Sequence, residues 1–224
     1  MHDDRLSYWR SAAEDETMQD DHLFVWKAML ESVDVDMAGT KVLDVGCNRG
    51  GFLRLAYDVR GIAEGFGYDP ASAAVADARR LTGARPLRFE VADRVPVDWA
   101  DFDAAFSHEV LYLIHDMRAH ADTILQALAP GGSYYAVMGM HAGSPVVVDW
   151  HQTHAEELAL PAIYDIDDVV DTFVSAGYDV AASRLQIGFI PATGHTPRLL
   201  EWLDYYNETK LLLRCTRPLA GVRS

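Results

Sequence analysis

The stretch KVLDVGCNRGGFLRLAYD, Lys41 to Asp58, decides the fold class of this chain. Lys41–Val45 is a short apolar run that predicts a buried strand, and the apolar spacing over Gly50–Asp58 predicts a helix. The glycines between them allow a sharp turn of the backbone. A strand, a glycine-rich turn and a helix in this order are typical of the nucleotide-binding start of an α/β domain.

The rest of the chain continues this alternation of strands and helices. Further strands are predicted at Ile62–Tyr68, Leu87–Val91, Phe102–Ser107, Ser133–Met138, Val180–Ile190 and Lys210–Thr216, and further helices at Pro70–Leu81, Asp116–Leu128, Asp165–Ala176 and Pro197–Tyr206. Strands that alternate with helices form right-handed βαβ units. We therefore expect an α/β, Rossmann-like, mostly parallel seven-stranded sheet with helices on both faces and an antiparallel last strand.

Three segments lie outside this regular pattern. Residues 1–36 are predicted to form an N-terminal helical cap of two helices, separated by the acidic loop AEDETMQDD. Residues 37–224 form the main domain. Within it, residues 141–164 make a connection long enough to be a lid, and residues 191–209 make a helical insertion.

Composition excludes several classes of protein. The 224 residues carry a net charge of -15, which disfavours a nucleic-acid partner because phosphate backbones need a basic face. No apolar run approaches the roughly 18 residues that span a bilayer, so no membrane association is expected. The polar N-terminus is unlike a secretory signal, and two cysteines far apart in sequence fit a reducing cytoplasm.

The turn itself indicates which kind of nucleotide could bind. A dinucleotide fingerprint needs glycine where this chain has Asn48, and the carboxylate of Asp44 would repel a pyrophosphate. A ligand that carries positive charge would instead be stabilised by Asp44. Asp69, at the end of the second strand, has the spacing of an acid that binds a ribose diol. Asp93, after the third strand, is placed for an adenine amino group.

Five motifs in order, VLDVGCNRGGFL, GYDPA, VADRVP, FDAAFSHEVLYLIHD and LAPGGSYYAV, resemble the class I S-adenosylmethionine-dependent methyltransferases. The resemblance covers about Lys41 to Met140. It implies S-adenosylmethionine as cofactor and a pocket closed beneath the sulfonium by Ser107 and His108. The residues predicted to bind the cofactor are Tyr8, Asp44, Gly46, Cys47, Asn48, Gly50, Asp69, Pro70, Asp93, Arg94, Ser107 and His108.

Purely structural roles stay open for several of these residues. Gly46 and Gly50 could serve only the turn, and Asp69 could cap the following helix. Asp93 could be an ordinary loop acid. Cys47 is more typical of a small buried turn residue than of a reactive thiol.

Histidines dominate the candidates for chemistry. His108 ends the fourth strand, where the family's acceptor enters, and His151 and His154 lie in the predicted lid; these three are the catalytic candidates. The candidates for substrate contact are Glu109, Tyr112, His141 and Trp150. The position at which small-molecule members often carry a histidine base is occupied here by Leu113.

Two clusters of polar and aromatic residues allow more than one role. His151, His154 and Glu157 at three-residue spacing could meet on one helical face, but the spacing is not a known zinc pattern, and we predict no metal. Trp202, Tyr205 and Tyr206 have the spacing of a packed helix face, in the core or in a homodimer interface. An acceptor stack is the alternative.

The expected function is therefore methyl transfer from S-adenosylmethionine to an oxygen, nitrogen or carbon atom of a small molecule. Two alternatives stay open: a non-catalytic S-adenosylmethionine sensor or partner protein, and a nicotinamide-dependent oxidoreductase. Asn48 and Asp44 disfavour the oxidoreductase.

Overall fold

The computed structural model describes residues 12–193 and 198–219. A seven-stranded sheet in the order β3-β2-β1-β4-β5-β7-β6 forms its centre. Its strands are β1 Lys41–Val45, β2 Glu64–Asp69, β3 Leu87–Val91, β4 Phe102–His108, β5 Leu128–Met138, β6 Asp179–Arg184 and β7 Leu211–Thr216. β1 to β5 pair in parallel, whereas β7 is antiparallel to both of its neighbours. The predicted fold class is confirmed, including the antiparallel last strand.

Helices cover both faces of the sheet. They are α1 Ala12–Glu31, α2 Gly51–Arg60, α3 Ser72–Leu81, α4 Met117–Ala127, α5 Pro145–His154, α6 Ile166–Ala176 and α7 Leu199–Asp204, with a 3₁₀ turn at Leu111–Leu113 and a π-helical turn at Tyr205–Thr209. No helix in the two described ranges is both long enough and apolar enough to cross a bilayer.

The alternation of side chains along the strands builds two hydrophobic cores. Val42 of β1 points into a core with residues of α1, α2 and α3. Leu43 and Val45 point to the opposite face, into a core with residues of α4 and α6. A sheet buried on both faces needs continuous apolar strands, and β1 is buried at Val42–Val45 in spite of its acid at position 44.

Four boundary predictions are wrong. β5 begins at Leu128 instead of Ser133, because Leu128 already pairs with Phe102 of β4. The acidic AEDETMQDD segment is not a loop, since α1 runs without a break over Ala12–Glu31. Pro70 does not begin α3, because the Asp69 side chain accepts a hydrogen bond from the amide of Ala71 and delays the helix until Ser72. β6 ends at Arg184 instead of Ile190, since its partner β7 begins opposite Arg184.

Candidate active site

A cavity of about 1180 Å³ opens at the carboxyl ends of β1, β2 and β4. Ligands of open α/β sheets bind at this end of the strands. The volume exceeds the roughly 300–1,000 Å³ of most small-molecule sites, so it has room for more than one small ligand. Predicted site residues that line it are Asp44, Gly46, Cys47, Asn48, Asp69, Pro70, Asp93, Arg94, His108, Glu109, Tyr112 and Trp150.

The turn after β1 is fixed by backbone hydrogen bonds to β2. The amides of Gly46 and Cys47 both donate to the carbonyl of Tyr68 at 3.0 Å. Gly46 has a φ of +70°, and a Cβ there would lie 2.6 Å from the Val110 side chain. Asn48 also has a positive φ, of 44°, which asparagine tolerates better than most residues. The turn therefore brings backbone to the cavity wall at a position where only glycine fits.

Asp44 lies on the cavity wall with a carboxylate that the described residues leave partly unsatisfied. The residue is 5% exposed, and its Oδ2 has no hydrogen-bond partner among them. Burial, and secondarily the charge of Asp69, raise the pKa of this carboxyl well above its ordinary value. An adjacent cation would offset both the cost of burying this carboxylate and its repulsion by Asp69, so Asp44 is a site for a positively charged group.

Asp69 combines a structural and a ligand-facing position. Its Oδ2 accepts from the amide of Asn48 at 3.0 Å, and its Oδ1 accepts from the amide of Ala71 at 2.8 Å. These bonds hold the glycine turn against the start of α3 while the carboxylate still lines the cavity. Asp93 and Arg94 lie at the exposed rim and pair with each other at 3.2 Å.

Two predicted cofactor residues are not among the described residues that line the cavity. Gly50 lies behind the turn, where a Cβ would be 2.5 Å from the Phe89 ring, so its role in the structure is close packing. Ser107 is fully buried and shares a 2.6 Å hydrogen bond with the hydroxyl of Tyr134. Tyr8 lies outside the described residues. Cys47 is a buried free thiol whose pKa is raised by burial, which does not favour a reactive thiolate.

A buried ion pair forms the cavity floor beside His108. Lys210, immediately before β7, is 2% exposed and forms a salt bridge with Glu109. Its Nζ also lies 3.4 Å from His108 Nε2 and 3.4 Å from the Tyr205 hydroxyl. Burial, followed by the charges of Lys210 and His22, lowers the pKa of His108 well below its ordinary value. His108 is therefore neutral near pH 7, and because an ammonium can only donate, its Nε2 is the accepting nitrogen.

Glu109 anchors this floor to the neighbouring elements. Its carboxylate accepts from the amide of Gly139, at the end of β5, and from the Tyr205 hydroxyl at 3.3 Å. The residue has a positive φ of 55°. Strained backbone of this kind persists where the surroundings over-determine it, and it is common at functional sites.

Sequence reasoning missed two residues of this floor. Lys210 was predicted only as the first residue of a strand, and nothing in the local sequence marks its contact with Glu109, 101 positions away. His22 lies on α1, with its ring centroid 5.0 Å from that of His108. Its signal was available, because His22, Trp26 and Met29 have helical spacing and all three line the cavity.

The lid segment contributes aromatic and apolar side chains to the cavity but not its histidines. Trp150 meets Tyr112 edge to face at 6.4 Å, and both line the cavity. His141, His151 and His154 are not among the described lining residues. His141 donates to the carbonyl of Thr209, and His151 to that of Pro161, so both rings hold backbone.

The insertion before β7 also contributes to the cavity wall. Trp202, Tyr205 and Tyr206 all line the cavity. Among the described residues, no three His, Cys, Asp or Glu side chains are grouped to hold a metal ion.

Comparison with known proteins agrees with this geometry. Residues 43–136 match the model of a methyltransferase domain. Over 111 residues the chain is 32% identical to phosphoethanolamine N-methyltransferase 1 of Triticum aestivum. The match covers 47% of this chain and 22% of that protein, so the chain spans only about a fifth of its relative.

Solved structures resemble the chain over nearly its whole length. A chain of the complex between the Haloferax volcanii Trm112 methyltransferase activator and a methyltransferase superposes with a TM-score of 0.81 at 25% identity, covering 95% of this chain and 97% of that one. Phosphoethanolamine N-methyltransferase 2 of Haemonchus contortus, in complex with S-adenosyl-L-methionine, superposes with a TM-score of 0.72 at 16% identity, covering 97% of this chain and 60% of that one.

Proposed function

We propose that this chain is a class I S-adenosylmethionine-dependent methyltransferase, because residues 43–136 match a methyltransferase domain, and that it transfers a methyl group to an oxygen, nitrogen or carbon atom of a small molecule. The buried Asp44 carboxylate carries this proposal, since Asp44 lines the cavity and its Oδ2 has no hydrogen-bond partner among the described residues. A dinucleotide would place a pyrophosphate near that charge. The cationic ammonium of S-adenosylmethionine would instead neutralise it.

The other cofactor contacts follow from the same wall. Asp69 is placed to accept the ribose hydroxyls, because a carboxylate with two backbone donors still has lone pairs to offer. Asp93 and Arg94, at the rim, would flank the adenine. Gly46 gives the methionine portion close access to backbone.

Methyl transfer mainly requires the protein to position the acceptor. When bound, S-adenosylmethionine supplies an electrophilic methyl group on a sulfonium. Holding the acceptor in line with that group can contribute roughly 7–11 kcal/mol, and proton transfer contributes less. The walls formed by α1, the lid and the insertion do this positioning.

We propose different roles for His108 and His22 in proton transfer. Lys210 occupies the Nε2 lone pair of His108, which leaves the proton of that neutral ring on Nδ1 as a donor to the acceptor. His22 lies beside it on the cavity wall and is the residue we propose as proton acceptor. We assign no catalytic role to His151 or His154, whose rings are not on the cavity wall that the structure describes.

We also propose a cytoplasmic location and a small-molecule partner. Both cysteines are buried free thiols, which supports the expected cytoplasmic location. A small-molecule partner is supported by the depth of the cavity.

Calorimetric titration with S-adenosylmethionine, and separately with NAD, tests the proposal. We expect micromolar affinity for S-adenosylmethionine and at least a tenfold loss in both Asp44→Asn and Asp69→Asn. Asp98→Asn, an exposed acid that is not among the described lining residues, is the matched control. Preference for NAD, or equal losses in all three variants, would contradict the proposed cofactor site. Formation of S-adenosylhomocysteine with an acceptor panel separates an enzyme from a sensor.

A further inference from the structure

The charges on the cavity wall restrict the acceptor. Four lysine and arginine side chains among the described residues line the cavity, and each is ion-paired: Arg49 with Asp77, Arg94 with Asp93, Arg198 with Glu201 and Lys210 with Glu109. Six carboxylates line the same cavity: Asp44, Asp69, Asp93, Glu109, Asp116 and Glu201. With histidines neutral, acids outnumber bases on this wall.

This balance is unfavourable for a phosphorylated acceptor. A phosphate group is normally held by several cationic or amide donors that can converge on it. Here a phosphate would have to displace a carboxylate from an arginine or from the buried Lys210. The Lys210–Glu109 pair is buried, and a buried carboxylate that loses its partner is strongly destabilising, so this lysine is not available to a phosphate. Phosphoethanolamine, named in two of the similar proteins, is therefore a poor fit.

The wall at the acceptor end is aromatic. Trp202 stacks on Tyr206 with ring centroids 5.9 Å apart and an interplanar angle of 28°. It also meets Tyr205 edge to face at 5.8 Å. Trp202 lines the cavity and is still 39% exposed, which is unusual for a tryptophan whose only role is core packing. Such a ring offers a flat apolar surface to a second ring.

The aromatic wall and the polar floor meet at Lys210. Its ammonium lies 4.9 Å from the Tyr205 ring centroid and 3.4 Å from His108 Nε2. A ligand that packs on Trp202 can therefore direct a polar group past Tyr205 to His108 and His22.

We propose that the acceptor is an uncharged planar aromatic molecule that bears a hydroxyl group, a phenol in chemical class. This inference rests on the proposed methyltransferase function and specifies its substrate. Methyl transfer forms an O–CH3 bond and breaks the S–CH3 bond, with both electrons of the broken bond left on sulfur. The phenolic proton goes to the imidazole of His22. The products are a methyl ether and S-adenosylhomocysteine.

Titration of the S-adenosylhomocysteine-loaded protein with 2-naphthol and with phosphoethanolamine tests the acceptor class. We expect 2-naphthol to bind at least tenfold more tightly than phosphoethanolamine. Trp202→Ala should weaken 2-naphthol binding at least tenfold, and Trp202→Phe should recover part of it. Leu200→Ala, on the same helix but not among the described lining residues, should leave binding unchanged.

Two outcomes overturn this inference while leaving the proposed function intact. They are S-adenosylhomocysteine binding without measurable 2-naphthol binding, and tighter binding of phosphoethanolamine. Failure of S-adenosylhomocysteine itself to bind would instead contradict the proposed function. Incubation of the wild-type protein with S-adenosylmethionine and 2-naphthol, followed by mass spectrometry for 2-methoxynaphthalene, tests the chemistry without any variant.

Discussion

At the scale of single residues, the polar floor is defined by Lys210. Its ammonium is almost fully buried, and a cation at such a site is tolerated only when it is paired and hydrogen-bonded. Glu109 supplies the opposite charge, and Tyr205 and His108 complete the shell. The same ammonium repels a second positive charge and so helps to keep His108 neutral.

Replacement of the Lys210–Glu109 pair tests separately its effect on stability and its effect on the pKa of His108. Lys210→Met should lower the free energy of unfolding by about 3–5 kcal/mol, because it leaves the Glu109 carboxylate buried without its partner. The double variant Lys210→Met with Glu109→Gln should recover most of that loss. In the double variant the pKa of His108 should rise, since the repulsion by Lys210 is gone while burial remains. Urea unfolding and NMR titration of the His108 ring check both expectations, and an unchanged His108 titration would refute the role assigned to Lys210.

Gly46 and Gly39 form a matched pair for testing the turn. Both have positive φ, of +70° and +76°, but a Cβ at Gly39 would meet nothing within 4 Å. Gly39→Ala should cost roughly 1–2 kcal/mol from the backbone conformation alone. Gly46→Ala should cost about 1–3 kcal/mol more, because the new methyl overlaps Val110. Thermal or urea unfolding measures both, and equal costs would mean that Val110 moves aside freely.

At the scale of elements, the lid is held by contacts between side chains and backbone carbonyls. His115 Nε2 donates to the carbonyl of Ala159 at 3.0 Å, and the Tyr164 hydroxyl donates to the carbonyl of Ile114. Both bonds join the lid segment to the chain just before α4. The segment also carries Trp150 to the cavity, so these bonds position one wall of the acceptor site.

Tyr164→Phe should loosen the lid without removing any side chain from the cavity wall. Loss of a hydrogen bond worth about 0.5–1.5 kcal/mol should increase local opening roughly 2–12-fold. Hydrogen exchange of amides in α5 measures this opening. Tyr57→Phe, which removes a tyrosine hydroxyl from α2 instead, should leave α5 exchange unchanged. Equal protection of α5 in both variants would show that the Tyr164 bond does not restrain the lid.

At the scale of the whole molecule, buried histidines on the cavity wall couple folding to pH. Burial lowers the pKa of His120 to about 4, and its Nε2 lies 3.3 Å from the Tyr134 hydroxyl. Between about pH 4 and pH 6.5, His120 is therefore protonated in the unfolded chain but neutral in the folded protein. This contribution to stability is complete above pH 6.5 and is lost as the pH falls toward 4. Asp44, with its raised pKa, acts in the opposite direction.

A comparison of the wild-type protein with His120→Gln isolates this effect. The free energy of unfolding of the wild type should fall by up to about 2 kcal/mol more than that of the variant between pH 6.5 and pH 5, at about 1.4 kcal/mol per pH unit for one proton. His108 and Asp44 are present in both proteins, so their contributions cancel in the comparison. Parallel pH profiles from urea unfolding would show that His120 titrates normally in the folded state.

The predicted homodimer and the domain boundaries remain predictions. The aromatic residues that suggested an interface, Trp202, Tyr205 and Tyr206, line the cavity instead of forming a separate surface patch. Sedimentation of the purified protein would decide the oligomeric state.

The order of elements, the fold class and the glycine turn with Asp44 and Asp69 could be predicted because they depend on local signals. Hydrophobic periodicity identifies strands and helices, and a turn of positive φ favours glycine or asparagine. The boundaries of α1 and β6 could not be predicted in this way. The end of β6 is set by its partner, because Arg184 pairs with Leu211, the first residue of β7. The acidic segment is helical as part of the continuous α1, which its local composition does not indicate.

The acceptor end of the cavity was decided by tertiary structure alone. His22 comes from α1, His108 from the end of β4 and Lys210 from the position just before β7. β5 pairs with both β4 and β7, and its register aligns the end of β4 with the beginning of β7. The helix α1 packs against α2, and its His22 ring lies beside His108. Periodicity shows that a residue is on a strand, but strand order and register determine which distant residue it contacts. The buried pairing of Lys210 with Glu109, and the neutral state of His108 that burial and then the Lys210 charge produce, therefore depend on the assembled sheet.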